Sequence, residues 1–156
     1  AGSQYPIPSI RFVEEQNMEN FLYEHIEKWQ QSVIDADSTW WGLQDYTFIE
    51  QFGKFTDWYW KQPFTKGVKM YQVSNDSEAE REMLKKVQKP NRDVRFSTDI
   101  NFTSSIWVGG DYLIMLVTRR HPFYLFEIHD IALAHNMRQV FKKLWKQAKS
   151  NIELKT

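Results

Sequence analysis

Residues 101–149, NFTSSIWVGGDYLIMLVTRRHPFYLFEIHDIALAHNMRQVFKKLWKQAK, decide the fold. Strand-like runs cover Phe102 to Val108 and Tyr112 to Thr118. Gly109-Gly110-Asp111 between them supplies the positive φ that a tight hairpin needs. A third strand, Phe123 to Ile128, follows Arg119-Arg120-His121. Asp130 then stands as N-cap of one long helix to about Lys149. Leu133, Met137, Val140, Phe141, Leu144 and Ala148 line one side of that helix, with Trp145 beside it. Three strands in succession and a closing helix predict an antiparallel sheet region with a helix laid against it.

Upstream the pattern changes to strand-helix units. Ser9 to Val13 reads as a strand, and Asn17 as the cap of a helix to about Asp35, with Met18, Phe21, Leu22, Ile26, Trp29 and Val33 at helical spacing. Thr39 to Leu43 is a second strand. Asp45 then caps a helix to about Lys61, in which Ile49, Phe52, Phe55 and Tyr59 recur; Gly53 weakens it and Pro63 ends it. Val68 to Val73 is a third strand. Ser77 and Glu80 form a capping box whose carboxylate returns to the Ser77 backbone. The helix they open, to about Val87, has Ala79, Met83, Leu84 and Val87 to bury. Asp93 to Ser97 is the next strand. Strand-helix repeats imply parallel strands with crossovers.

Composition narrows the function. The chain of 156 residues carries twenty basic and twenty acidic side chains, so no bulk field draws it to nucleic acid or to an anionic membrane. It has no cysteine, which removes disulfides, thiol nucleophiles and thiolate-bound zinc. No apolar run approaches the roughly 18–20 residues of a membrane span, and no signal-peptide pattern opens the chain, so a cytoplasmic protein is expected. Ala1-Gly2-Ser3 has the composition of a cloning scar, leaving residues 4–156 as one domain.

Several groups are candidates for a ligand site, each with a plainer alternative. Trp40 and Trp41 lead into Gln44 and Asp45, beyond the carboxyl end of a strand, where α/β sheets bind ligands. The tryptophans could stack on a sugar or base, or simply pack, and Asp45 could line a rim or only cap a helix. Ser74, Asn75 and Asp76 at the end of the third strand form a second rim candidate for a hydroxyl or phosphate, or a loop satisfying its own backbone. Arg119 and Arg120, beside His121, could fork onto a phosphate or carboxylate, or be solvated loop charge. His129 next to Asp130 suggests acid-base work, or only a helix junction. His121, His129 and His135 lack metal-pair spacing, so no metal or other cofactor is expected. Arg138, Lys142, Lys143, Lys146 and Lys149 on the last helix suit its macrodipole or a DNA backbone. Seven aromatic residues between Tyr46 and Trp60 exceed one helix face and point to a pocket or partner surface.

The terminal block, the Arg11-Phe12-Val13 strand and the Lys66-Gly67-Val68-Lys69 segment together resemble the phospholipase D-like C-terminal effector domain of TrmB-type transcription regulators. The resemblance implies an α/β fold with a mixed sheet: parallel strand-helix units, then an antiparallel hairpin region and a long C-terminal helix. Phospholipase D enzymes carry a His-x-Lys-x4-Asp motif. With its Asp set on Asp111, Ser104 stands in place of His and Ile106 in place of Lys, so no catalytic residue carries over.

The expectation is a catalytically inactive sensor or dimerisation domain of a transcription regulator, binding a small polar ligand. A homodimer is expected, with DNA reached only through a domain outside this chain and no membrane contact. The alternatives are a phosphodiesterase or nuclease-like enzyme with an altered site at His121 or His129, and a ligand-free interaction module.

Overall fold

The computed structural model describes residues 7–150, so the Ala1-Gly2-Ser3 reading lies outside the described residues. Eight strands form one sheet: β1 Ser9–Glu14, β2 Thr39–Leu43, β3 Lys69–Asn75, β4 Arg92–Ser97, β5 Ser105–Gly109, β6 Tyr112–Val117, β7 Tyr124–His129 and a two-residue β8, Lys149–Ser150. Five α-helices accompany them, α1 Glu15–Asp35, α2 Tyr46–Gln51, α3 Gly53–Trp60, α4 Glu78–Lys86 and α5 Ile131–Gln147, with a short 3-10 helix at Pro63–Thr65. The strand order is β1-β7-β6-β5-β2-β3-β4-β8.

This is the mixed sheet expected, with one difference in placement. β2, β3 and β4 are parallel neighbours. β1 does not join them: it pairs antiparallel with β7 at the far edge. Counting antiparallel pairings from β1 through β7, β6 and β5 to β2 returns β1 to the direction of β2. The carboxyl ends of β1, β2, β3, β4 and β6 therefore share one edge of the sheet. Sequence order cannot tell that α1 carries the chain across three strands.

Two cores flank the sheet. On one face Met18, Leu22, Ile26, Trp29 and Val33 of α1 meet Trp40, Ile114, Leu116, Leu125 and the aromatic side chains of α2 and α3. On the other, Trp41, Leu43, Val73 and Val108 pack beneath Ala134 and Phe141 of α5. Each such large side chain, fully buried, stabilises the fold by about 1.5–3 kcal/mol. Val140, expected inside, is 47% exposed, because Ala134 and Phe141 set the buried line of α5.

Local structure corrects several expectations. α1 begins at Glu15 rather than at an Asn17 cap, since β1 runs straight into it and Glu15 Oε1 accepts from the Phe123 amide at 2.7 Å. The single helix expected from Asp45 to Lys61 is two, broken at Phe52 beside Gly53. The break turns Phe48, Phe55 and Tyr59 all into the core, and none of the seven aromatics between Tyr46 and Trp60 is exposed. Ser77 does cap α4, accepting from the Glu80 amide. The Glu80 carboxylate leaves the capping box and accepts from the Tyr46 amide at 3.0 Å. Glu80 is thus the buried residue of α4, while Ala79 is exposed and Met83, Leu84 and Val87 are half-buried. Asp130 caps α5 as expected, accepting from the Leu133 amide at 3.0 Å. Among the described residues no helix is long and apolar enough to cross a membrane.

Candidate functional site

Asp45 lies two residues beyond the last residue of β2 and is fully buried. Its carboxylate does not cap α2. Arg119, just past the end of β6, donates Nε to Oδ2 at 3.0 Å and Nη2 to Oδ1 at 2.9 Å. Thr47 Oγ1 donates to Oδ2 at 2.6 Å. Having given that proton, Thr47 accepts from Thr118 Oγ1 at 2.7 Å. The Asp45 amide donates to Ser105 Oγ, at the start of β5 between the two strands. Arg119 Nη2 also reaches Phe102 O at 3.0 Å. The Asp45 carboxylate raises the Arg119 pKa, against the opposing effect of burial.

Glu80 lies close by. Burial pushes its carboxyl up to about 7, the charge of Asp45 adding to this while Arg119 and Arg92 oppose it.

An open cleft of about 700 Å³ lies along this edge. Asn75 at the end of β3 with Asp76 after it, Ser97 at the end of β4 with the residues through Asn101 after it, and Tyr46, Thr47 and Arg119 line it. Asn75 fixes one wall: its Nδ2 donates to Phe102 O and its Oδ1 accepts from the Phe102 amide, both at 2.7 Å. Asp76 is already paired with Arg81 at 2.7 Å. The lining is therefore rich in hydroxyl and amide groups and short of free positive charge.

Of the residues read from the sequence, Asp45, Asn75 and Arg119 come together here. The others go elsewhere. Trp40 and Trp41 do not stack at the rim; both are buried, on opposite faces of the sheet. Trp40 Nε1 donates to Gln30 Oε1, and Trp41 Nε1 to Asp37 Oδ2. Gln44 is buried beneath Trp107, whose Nε1 donates to its Oε1. Ser74 is 2% exposed and spends its hydroxyl on Gln44 O. Arg120 is exposed loop charge next to His121, which pairs with Glu15 at 2.5 Å. His129 is at the opposite edge, because β7 runs away from the cleft; its ring stacks on Tyr112 at 4.3 Å. On α5, Arg138 and Lys142 turn toward Asp37, so two of the five cations are held against the protein itself.

The solved structures most informative for this arrangement share its fold. TrmBL2, an archaeal chromatin protein with a novel mode of DNA binding, superposes with a TM-score of 0.52 at 11% identity, over 95% of this chain and 56% of that one. NucT from Helicobacter pylori gives 0.57 at 7% identity, over 92% and 99%. Nuc from Salmonella typhimurium, a phospholipase D family member, gives 0.55 at 9% identity, over 92% and 98%. The chain has the phospholipase D-like fold. No family model and no curated protein matches it by sequence.

On this phospholipase D-like domain, Ser104 is half-buried at the entry to β5, on the edge that holds the cleft. Ile106 packs on the α5 side beside Leu43 and Val108. Asp111 is at the other end of the hairpin, its amide donating to Ser32 Oγ at 3.0 Å. Among the described residues no cluster of His, Asp and Glu could hold a metal ion. The sequence reading missed Thr47, Glu80, Ser105 and Thr118. Ser105 and Thr118 are at strand ends and Thr47 and Glu80 in the first turns of α2 and α4; only their position on one edge could have flagged them, and that edge is known only once strand directions are.

Proposed function

We propose that the domain is a catalytically silent effector module that binds a small, neutral, hydroxyl-rich ligand in the carboxyl-end cleft. The open cleft between Asn75 and Arg119 is the observation that carries this reading. Its one arginine is already neutralised by Asp45 and Asp76 by Arg81, which leaves the exposed Asp99 as the other charge on its lining, so an anionic ligand gains little there. Amides and hydroxyls remain for a polyol or sugar to bond. Catalytic silence is supported by Ser104 and Ile106 at the motif positions. Neither offers a nucleophilic imidazole or a phosphate-binding cation.

The same reading pairs two copies. β1 is an edge strand whose Ile10 and Phe12 are 71% and 57% exposed, with Phe12 against Tyr124 and Phe126 of β7. An exposed apolar strand edge is a ready template for association. Ligand in the cleft biases one of two dimer arrangements, which requires different affinities for the two. DNA contact falls to a domain outside this chain, by analogy with TrmBL2, of which the chain spans 56%. A thermal-shift screen of sugars and polyols, with hydrolysis of bis(p-nitrophenyl) phosphate measured alongside, tests the reading. A saturable shift that Thr98→Trp abolishes, with hydrolysis at the buffer rate, is expected; turnover of the phosphodiester overturns it.

A further inference from the structure

A second cavity, of about 110 Å³, lies inside the domain on the face of the sheet covered by α2 and α3. Its walls are the rings of Trp40, Phe48, Trp60 and Trp107. Phe48 meets Trp107 edge-on at 4.8 Å, and Trp40 meets Trp107 edge-on at 6.3 Å. These rings are packed edge-to-face against each other, so the free space lies beside them rather than between them and is bounded by aromatic surface that suits a flat guest. A volume of this order suits a single six-membered ring.

One end of the cavity is polar. Gln44 Oε1 accepts from Trp107 Nε1 and from Gln72 Nε2 at 3.0 Å. Gln72 Oε1 in turn accepts from Arg92 Nε at 2.7 Å, which fixes the plane of the guanidinium. Arg92 has five N–H donors. Beyond Nε, its contact is Nη1 to Val87 O at a long 3.5 Å. No carboxylate pairs with Arg92 among the described residues. Glu80 acts on it only at a distance, and burial pulls its pKa down to about 10. Arg92 is half-buried, and a guanidinium partly withdrawn from water gains from a paired anion. Here the fork is oriented, lines a cavity and lacks its anion. Lys86 and Lys89 at the mouth add positive charge, against one acid, Asp57.

From the aromatic walls and the Arg92 fork without a carboxylate partner, we propose that this cavity binds a small planar aromatic carboxylate, its ring against the Trp40 and Trp107 indoles that line the cavity and its carboxylate on Arg92. The site is separate from the carboxyl-end cleft, shares no lining residue with it, and prefers the opposite chemistry: an apolar ring with one negative charge.

Benzoate and its neutral isostere benzamide are the probes, followed by tryptophan fluorescence and by nuclear Overhauser contacts from the ring protons. The expected result is saturable benzoate binding with contacts to the Trp40 and Trp107 indoles, and benzamide weaker by about ten-fold or more, the loss of one charged hydrogen-bond pair. Arg92→Gln removes that preference, while Thr98→Trp in the carboxyl-end cleft leaves benzoate binding unchanged. Equal affinities for the two probes overturn the proposal, as does absence of saturable binding or ring contacts elsewhere. The comparison of probes on the unaltered protein decides even where Arg92→Gln fails to fold. A sugar response lost in Thr98→Trp with benzoate binding retained separates this site from the cleft.

Discussion

Arg119 grips Asp45 across an intervening strand. The two residues leave the ends of β6 and β2, β5 runs between them, and the guanidinium meets the carboxylate through Nε and Nη2. The partners differ in burial: Asp45 is sealed, whereas the Arg119 side chain is 37% exposed. Removing the arginine strands a buried charge, while removing the acid leaves a cation that water can reach. Arg119→Met should therefore cost more than Asp45→Asn, about 3 kcal/mol against about 1–2. Urea denaturation of the two variants checks this, and an equal or reversed order contradicts it.

Glu80 gives the fold a pH dependence. Its folded pKa of about 7 lies above the ordinary 4.5. Between those values the folded state binds more protons than the unfolded chain. The contribution is fully present below pH 4.5 and is lost as pH rises to 7. Melting temperature measured from pH 4.5 to 8 should fall by a few degrees more in the natural protein than in Glu80→Gln. Parallel profiles contradict the assignment.

Gly42 cannot accept a side chain. Its φ is +155°, and a Cβ there would sit 2.0 Å from the carbonyl oxygen of Ile106 on the paired strand β5. Because that neighbour is backbone, it cannot swing aside. Gly42→Ala should destabilise by more than the roughly 1–3 kcal/mol typical of overpacking and lose cooperative unfolding. A cooperative melt within a few degrees of the natural protein contradicts this.

The β1 edge predicts a solution property. Phe12→Asp places charge on the exposed face of an edge strand, which blocks pairing without touching either core. Sedimentation velocity should show a dimer for the natural chain and a monomer with unchanged circular dichroism for the variant. A monomer in both cases removes the dimer from the account.

What the sequence shows and what it hides follow from the range of the interactions. β2 lies at Thr39–Leu43 and Asp130 caps α5, as read, because local pattern and capping chemistry set both. The Gly110 turn follows for the same reason, with φ at +56°. Asp45 was legible only as a possible rim group or cap, since its true partner is 74 residues away. Glu80 leaves its capping box for the Tyr46 amide, 34 residues distant, a bond no local rule anticipates. The aromatic excess in α2 and α3 pointed to a partner surface or a pocket. Trp107, on β5 and far along the chain, is the wall that makes it a pocket.

The central claim is that the carboxyl-end cleft is a ligand site for a neutral, hydroxyl-rich molecule. Backbone amide spectra recorded while monosaccharides, disaccharides and polyols are titrated in test it most directly. The account predicts saturable shifts concentrated at Asn75, Ser97 to Asn101 and Arg119. Silence across the panel, or shifts centred on the opposite edge around His129, would contradict it.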